Sequence, residues 1–214
     1  NGIIQDKKNH FWFATPGGLI KYDENGTNIL FNKENGLPKN YIATVYEDSK
    51  GNIWASTLNE IFKLKDDKLI ATYGRSQGVI TSANCFYEDI DGVIWAGTSL
   101  GLIQIKDGVV NSYSMLQGLN NPSITSICQD NSGKLWIGTK GGGINWFNGI
   151  YFDEITEDDG LIPSNRINCM IQGPRGEIFI GTNSGVTKHD KKDKKNPYKT
   201  FNKSNSGISS NNIK

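Results

Sequence analysis

Proline, cysteine, methionine and histidine are all scarce in these 214 residues: six, three, two and two. Two histidines supply little material for acid–base chemistry or a metal centre, and the words HExxH, CxxC, GxSxG and the EF-hand loop are missing. No catalytic residue, metal or cofactor is therefore assigned. Neither sign of charge dominates, with 23 basic against 22 acidic residues, so nucleic acid and anionic membrane surfaces are not expected partners. No apolar run is long enough to span a bilayer, and NGIIQDKKNH lacks the zones of a signal peptide, so this segment is not expected to insert into a membrane. The odd cysteine count, Cys85, Cys128 and Cys169 on separate stretches, reads as buried thiols rather than a disulfide framework.

What is abundant is glycine, 25 residues, and a period of about 42 residues. DKKNHFWFAT, DSKGNIWAST, DIDGVIWAGT, DNSGKLWIGT and GPRGEIFIGT each set a large aromatic after a turn: Trp12, Trp54, Trp95, Trp136 and Phe179. A period of this length with several short strands per unit is the mark of a β-propeller, whose blades cannot bury their faces alone. The fold class is all-β, built of four-stranded antiparallel blades, with approximate repeats 1–42, 43–83, 84–124, 125–167 and 168–214. These form one propeller domain or a portion of one: an arc of a seven-bladed ring, or a closed ring of five.

The fourth repeat shows the expected blade most clearly. SITSICQD alternates, DNSG turns the chain, LWIGT returns, the turn Lys140–Gly143 leads into INWF, and Asn148-Gly149 is a two-residue hairpin signal before YFDEIT. Gly51, Gly92, Gly133 and Gly176 supply positive φ in the first turn, and a nearby Asp or Asn bonds its own backbone. The aromatics are blade-packing residues rather than a binding stripe. The Gly-Thr pairs at 97–98, 138–139 and 181–182 leave room for a neighbouring backbone, while the Gly-rich segments after them open no helix and cradle no phosphate.

The combined pattern D-x-x-G-x-[IL]-W-x-G-T, with GLPKNYI, GLNNPSI and GLIPSNRI ahead of successive blades, resembles the two-component regulator propeller repeats across essentially the whole chain. Departures are Pro16 in the first repeat, Ser56 and LNEI in the second, and Gly173 with Phe179 in the fifth. The resemblance implies a sensing module of a hybrid histidine kinase or related regulator, periplasmic or otherwise extracytoplasmic, often responding to glycan fragments.

Binding is expected where loops converge ahead of each first strand. The candidate ligand-contacting residues are Asn40, Tyr41, Ser82, Asn84, Asn121, Ser123, Asn165 and Arg166, with Asn211 and Asn212 at the end of the chain. Amides, hydroxyls, one ring and one guanidinium suit an oligosaccharide or similar small ligand; the plainer alternative is that these residues shape the loops. A second copy or adjoining blades and domains are the other expected partners. His10 and His189 fall at different repeat positions and read as surface residues, which counts against the competing reading, a propeller enzyme of the streptogramin-lyase type. A protein-interaction scaffold is the third. Glu157–Asp159 reads as a solvated loop, with calcium the alternative, and Lys191–Lys199 as a solvated tip.

Overall fold

The computed structural model describes residues 2–214. Twenty strands form five four-stranded antiparallel meanders, each in simple sequence order. Sheet one is β1 (Ile3–Gln5), β2 (Phe11–Thr15), β3 (Gly18–Tyr22) and β4 (Asn28–Phe31). Sheet two is β5 (Thr44–Glu47), β6 (Ile53–Ser56), β7 (Ile61–Lys65) and β8 (Lys68–Tyr73). Sheet three is β9 (Ala83–Glu88), β10 (Ile94–Thr98), β11 (Leu102–Lys106) and β12 (Val109–Tyr113). Sheet four is β13 (Ile124–Gln129), β14 (Leu135–Thr139), β15 (Ile144–Phe147) and β16 (Phe152–Ile155). Sheet five is β17 (Ile167–Gln172), β18 (Ile178–Thr182), β19 (Gly185–His189) and β20 (Tyr198–Phe201). The only helical pieces among the described residues are three-residue 3-10 turns, such as Lys33–Asn35 and Glu157–Asp159.

The chain groups into two compact units. One holds the residues to Ser99 together with Ile103–Ser112, the other Leu100–Leu102 with Tyr113–Lys214. In the first unit, Trp12, Leu19 and Phe31 of sheet one pack with Val45, Ile53, Phe62 and Leu64 of sheet two. Trp54, Ile61 and Tyr73 of sheet two then pack with Ala83, Ile94, Ile103 and Ile105 of sheet three. In the second unit the fully buried Trp136 of sheet four lies 4.9 Å, ring to ring, from His189 of sheet five. Within each unit, neighbouring sheets thus bury their faces on one another, which is what alternating side chains on a twisted meander require.

First strands of neighbouring sheets run beside one another, β1 with β5, β5 with β9 and β13 with β17, while fourth strands such as β4, β8 and β12 are largely exposed. The start of the first strand is stitched to the next repeat. Thr125 and Asn168 both sit in β-bulges, and their side chains donate to the carbonyls of Ile167 at 2.8 Å and Ile213 at 2.6 Å. The glycine of two Gly-Thr pairs makes room for that same isoleucine: a Cβ on Gly138 would lie 2.6 Å from Ile167, and one on Gly181 2.9 Å from Ile213 and 2.6 Å from Cys169. The neighbour admitted there is a side chain rather than a backbone.

One hairpin differs from its reading. Phe147 pairs with Phe152, so the turn spans residues 148–151 rather than two. Asn148 Oδ1 accepts from the amides of Ile150 and Tyr151 at 3.0 and 3.1 Å, an Asx turn that lengthens the connection.

Candidate functional site

The most regular polar feature is a carboxylate under an indole. Trp Nε1 donates to the Asp six residues earlier in four repeats: Trp12 to Asp6 at 2.8 Å, Trp54 to Asp48 at 2.8 Å, Trp95 to Asp89 at 2.7 Å and Trp136 to Asp130 at 3.1 Å. The other carboxylate oxygen accepts from the amides two and four residues on, as in Lys50 and Asn52 at 3.0 and 2.8 Å from Asp48. The turn is closed by a residue at positive φ, Gly51, Gly92, Gly133 or Gly176, with Asn9 at 66° in the first repeat. Burial alone would raise the pKa of Asp48, but the hydrogen bonds from Trp54, Asn52 and Lys50 outweigh it and hold it below the usual carboxylate range. Repetition in four sheets marks this as architecture.

In the fifth repeat both partners change together. Gly173 replaces the Asp and Phe179 replaces the Trp, so neither an orphaned carboxylate nor an orphaned indole N–H remains. Glu177 is buried here, and its carboxylate accepts from the amide of Arg175 at 3.0 Å. A Cβ on Gly173 would lie 2.9 Å from both Glu177 and Phe179. Phe179 is only half-buried, in contrast to the four tryptophans.

The carboxylate's fourth partner varies, and this shapes the clefts between sheets. Asp6 has His10 Nδ1 at 2.9 Å and Asp48 has Asn52 Nδ2 at 2.7 Å, both from the same turn. Clefts of about 180 Å³ beside Asp6 and Trp12 and about 120 Å³ beside Asp48 and Trp54 remain open. The charges rimming the larger are largely matched in place, Lys21 on Asp67 at 2.8 Å and Lys8 on Asp66 at 3.4 Å. Asp130 has Ser132 Oγ at 2.5 Å from its own turn and receives in addition Lys191 Nζ at 2.7 Å from sheet five.

Both histidines and part of the lysine run therefore depart from their surface reading. His10 is half-buried against Asp6; His189 is buried between the rings of Trp136 and Tyr198, at 4.9 and 4.3 Å. Burial first, and then the Lys191 ammonium, hold the His189 pKa below the ordinary histidine value. Lys191 is half-exposed but ends on a carboxylate whose side chain is only 3% exposed; Lys194 and Lys195 are solvated as expected. The Glu157–Asp159 segment is also committed to its own loop. Asp159 accepts from the Thr156 amide at 2.7 Å, and Glu157 from the Asn165 amide at 3.1 Å. Cys128 is buried and Cys85 and Cys169 half-buried, all three free; burial pushes the Cys85 and Cys128 thiols up to about 12.

The candidate ligand residues divide by how they are held. Asn40 Oδ1 accepts from the Lys33 amide at 2.8 Å, and Asn165 Oδ1 from the Glu157 amide at 2.7 Å. Asn211 repeats the arrangement on Lys203 at 2.7 Å, so this asparagine staples the 3-10 turn to the next strand. Asn121 Oδ1 accepts from the Ser123 amide at 3.0 Å. Asn84 occupies the β9 bulge position, where Thr125 and Asn168 stitch neighbouring repeats.

Tyr41, Ser82, Ser123 and Arg166 are placed differently. Each directly precedes a residue that is almost wholly buried, Ile42, Ala83, Ile124 and Ile167. Tyr41 and Arg166 are exposed and the two serines half-buried. The neighbouring backbone is anchored, with the Ile42 amide on the Thr15 carbonyl at 2.9 Å and the Lys140 amide on the Ser123 carbonyl at 2.9 Å. Tyr41 and Ser82 belong to the first unit, Ser123 and Arg166 to the second. In the second unit the turn 140–143 also meets these loops, since the Gly143 amide donates to the Asn165 carbonyl at 2.8 Å and Asn120 Nδ2 donates to the Gly142 carbonyl. The Asp–Trp contact and the loop staple were both missed from sequence, although the fixed six-residue Asp-to-Trp spacing was a usable signal for the first.

The family model for the two component regulator propeller matches residues 36–59 and 118–141, two stretches that run from the loop before a first strand to the end of the second. No curated protein matches the chain. Among solved structures, the extracellular domain of a hybrid two component system from B. thetaiotaomicron is 24% identical with a TM-score of 0.82, over 98% of this chain and 29% of that one. The extracellular domain of a one component system from the same organism is 23% identical with a TM-score of 0.71, over 95% and 30%. Virginiamycin B lyase from Staphylococcus aureus shares the fold at 14% identity and a TM-score of 0.71, over 94% and 68%. The chain thus spans about three tenths of the length of the two component and one component structures it resembles. It has the β-propeller fold, and two of its five repeats match the two component regulator propeller model.

Proposed function

We propose that this chain is a non-enzymatic, ligand-sensing part of an extracytoplasmic signalling receptor, and that its ligand is a carbohydrate or a similarly polyhydroxylated small molecule. One observation carries the reading. Each loop before a first strand spends most of its polar atoms on itself, yet holds one chemically distinct side chain uncommitted on an anchored backbone: Tyr41, Ser82, Ser123 and Arg166. The first unit offers a ring for an apolar sugar face beside a hydroxyl, and the second a hydroxyl and a guanidinium for paired oxygen acceptors, and either set matches such a ligand. The kinship of the repeats with sensor propellers supports the same reading.

A lyase would need a histidine and an acid free to exchange protons with a substrate. Among the described residues the one close pair, His10 and Asp6, uses a carboxylate that recurs as Asp48, Asp89 and Asp130 in the same structural role. The likeness to virginiamycin B lyase, at 14% identity, extends to fold alone.

A thermal-shift screen against neutral and acidic oligosaccharides tests the proposal, because a ligand that binds only the folded state raises apparent stability with its excess over Kd. At least one oligosaccharide is expected to raise Tm without being consumed. Tyr41→Ala or Arg166→Ala should remove that shift and leave the ligand-free Tm unchanged, whereas Asn165→Ala should lower the ligand-free Tm itself. Turnover of the stabilising compound, or no shift with any member of the panel, would overturn it.

A further inference from the structure

We infer that the contact between sheets four and five is a pH-sensitive joint, with His189 as its proton-sensing wedge and Lys191 as its latch. His189 is 8% exposed, and its ring is held between Trp136 of β14 and Tyr198 of β20. Its Nδ1 is buried without a hydrogen-bond partner. A neutral imidazole tolerates that atom as a bare lone pair; a second proton there would bury a positive charge whose one neighbouring acceptor, the Pro197 carbonyl, already takes the Asp190 amide at 2.8 Å.

The surrounding charges oppose that proton. Lys191, two residues on, places its ammonium on Asp130 Oδ2 at 2.7 Å and on Ser132 Oγ at 2.9 Å, so the nearest carboxylate already has its cation. Asp190 is taken by Lys188 at 3.0 Å. On the sheet-four side Lys134 lies over Trp146, 4.1 Å from the ring centre, and Trp146 is itself packed on Trp136. His189 pairs with Ile178 of β18, and the neighbouring Glu177 faces its own turn through the Arg175 amide. From β20 comes Tyr198, whose phenol is pushed up to about 12 by burial and stays neutral. The Pro197 carbonyl favours the charged imidazole, but burial and Lys191 outweigh it.

The chain's own repeats supply the control. By strand register Leu64 in sheet two and Phe147 in sheet four stand where His189 stands, with Tyr22 there in sheet one, and Asp66, Gly149 and Glu24 stand where Lys191 stands. An apolar or aromatic residue is thus the ordinary filling of this place. Histidine with a lysine latch is the variant that makes the joint respond to protons.

The sign follows from the depressed folded pKa. An unfolded histidine binds its proton near pH ~6.5, so the joint is at full strength above that pH and weakens as pH falls through it toward the lower folded value. The test compares thermal unfolding of the whole chain and of His189→Leu between pH 7.5 and pH 5.0. The wild-type chain should lose roughly 3–5 °C more than the variant for each pKa unit of depression; His10, unchanged in both, cancels in the difference. NMR titration of the His189 imidazole in the wild-type chain is the second measurement, which holds if the leucine variant folds poorly. Its midpoint should lie below that of an unstructured histidine, and Lys191→Met should raise it. Equal pH dependence of the two proteins, or a midpoint at or above the ordinary value, would overturn the inference.

Discussion

At the residue scale, stability rests on a contact that composition does not announce. Asp48 gathers four donors, the amides of Lys50 and Asn52, the Asn52 side chain and the Trp54 indole. Asp48→Ala strands several of them in a buried place and should cost about 3 kcal/mol in urea unfolding. Trp54→Phe removes one donor, and a double-mutant cycle between the two should return a coupling of about 1 kcal/mol or more. The fifth repeat, where Gly173 and Phe179 lack both partners, is the natural version of the double change. The same carboxylates set the acid limit. The folded pKa values of Asp6, Asp48 and Asp130 are lowered, so the stability they contribute is present above the unfolded value of ~3.9 and drains away as pH falls through the folded values below it. Asp48→Asn should flatten the acid limb of a pH–stability profile. Tryptophan as packing residue was legible from the period; its bond to aspartate was not, because turn chemistry alone accounts for an Asp at that place.

At the element scale, the β2–β3 type of turn shows why glycine recurs at the start of the third strand. Gly185 has φ of 136°, and a Cβ there would lie 2.4 Å from the Phe201 carbonyl oxygen of β20. Gly185→Ala should therefore destabilise by about 2 kcal/mol or more, read as a lower urea midpoint. The meanders, the first turns and most strand positions could be read from alternation and turn residues. Side chains that reach between elements could not. Lys191 looked like one more solvated lysine because its partner, Asp130, lies 61 residues away, and His189 looked superficial because an isolated polar residue near a lysine run gives no sign of the rings that enclose it. The loop residues split for the same reason. Asn40 and Tyr41 are neighbours in sequence, yet one staples a 3-10 turn and the other is exposed.

At the scale of the whole molecule, four repeats share a carboxylate under an indole, sheets four and five seat an isoleucine in a glycine gap, and the repeats vary at a few places. Variation at the turn carboxylate's fourth partner decides whether an inter-sheet cleft stays open, as beside Trp12, or receives a latch, as beside Trp136. Variation just before the buried residue of each first strand gives Tyr41, Ser82, Ser123 and Arg166, the proposed reading residues. Clefts at the aspartate turns and loops ahead of the first strands are thus two separate places where a ligand could register. Backbone amide NMR mapping with the oligosaccharide that stabilises the protein most distinguishes them directly. Shifts concentrated at Tyr41 and Ser82, or at Ser123 and Arg166, with Asp6, His10 and Asp66 unmoved, are the predicted result; shifts confined to the Asp6–His10–Asp66 cleft would contradict it.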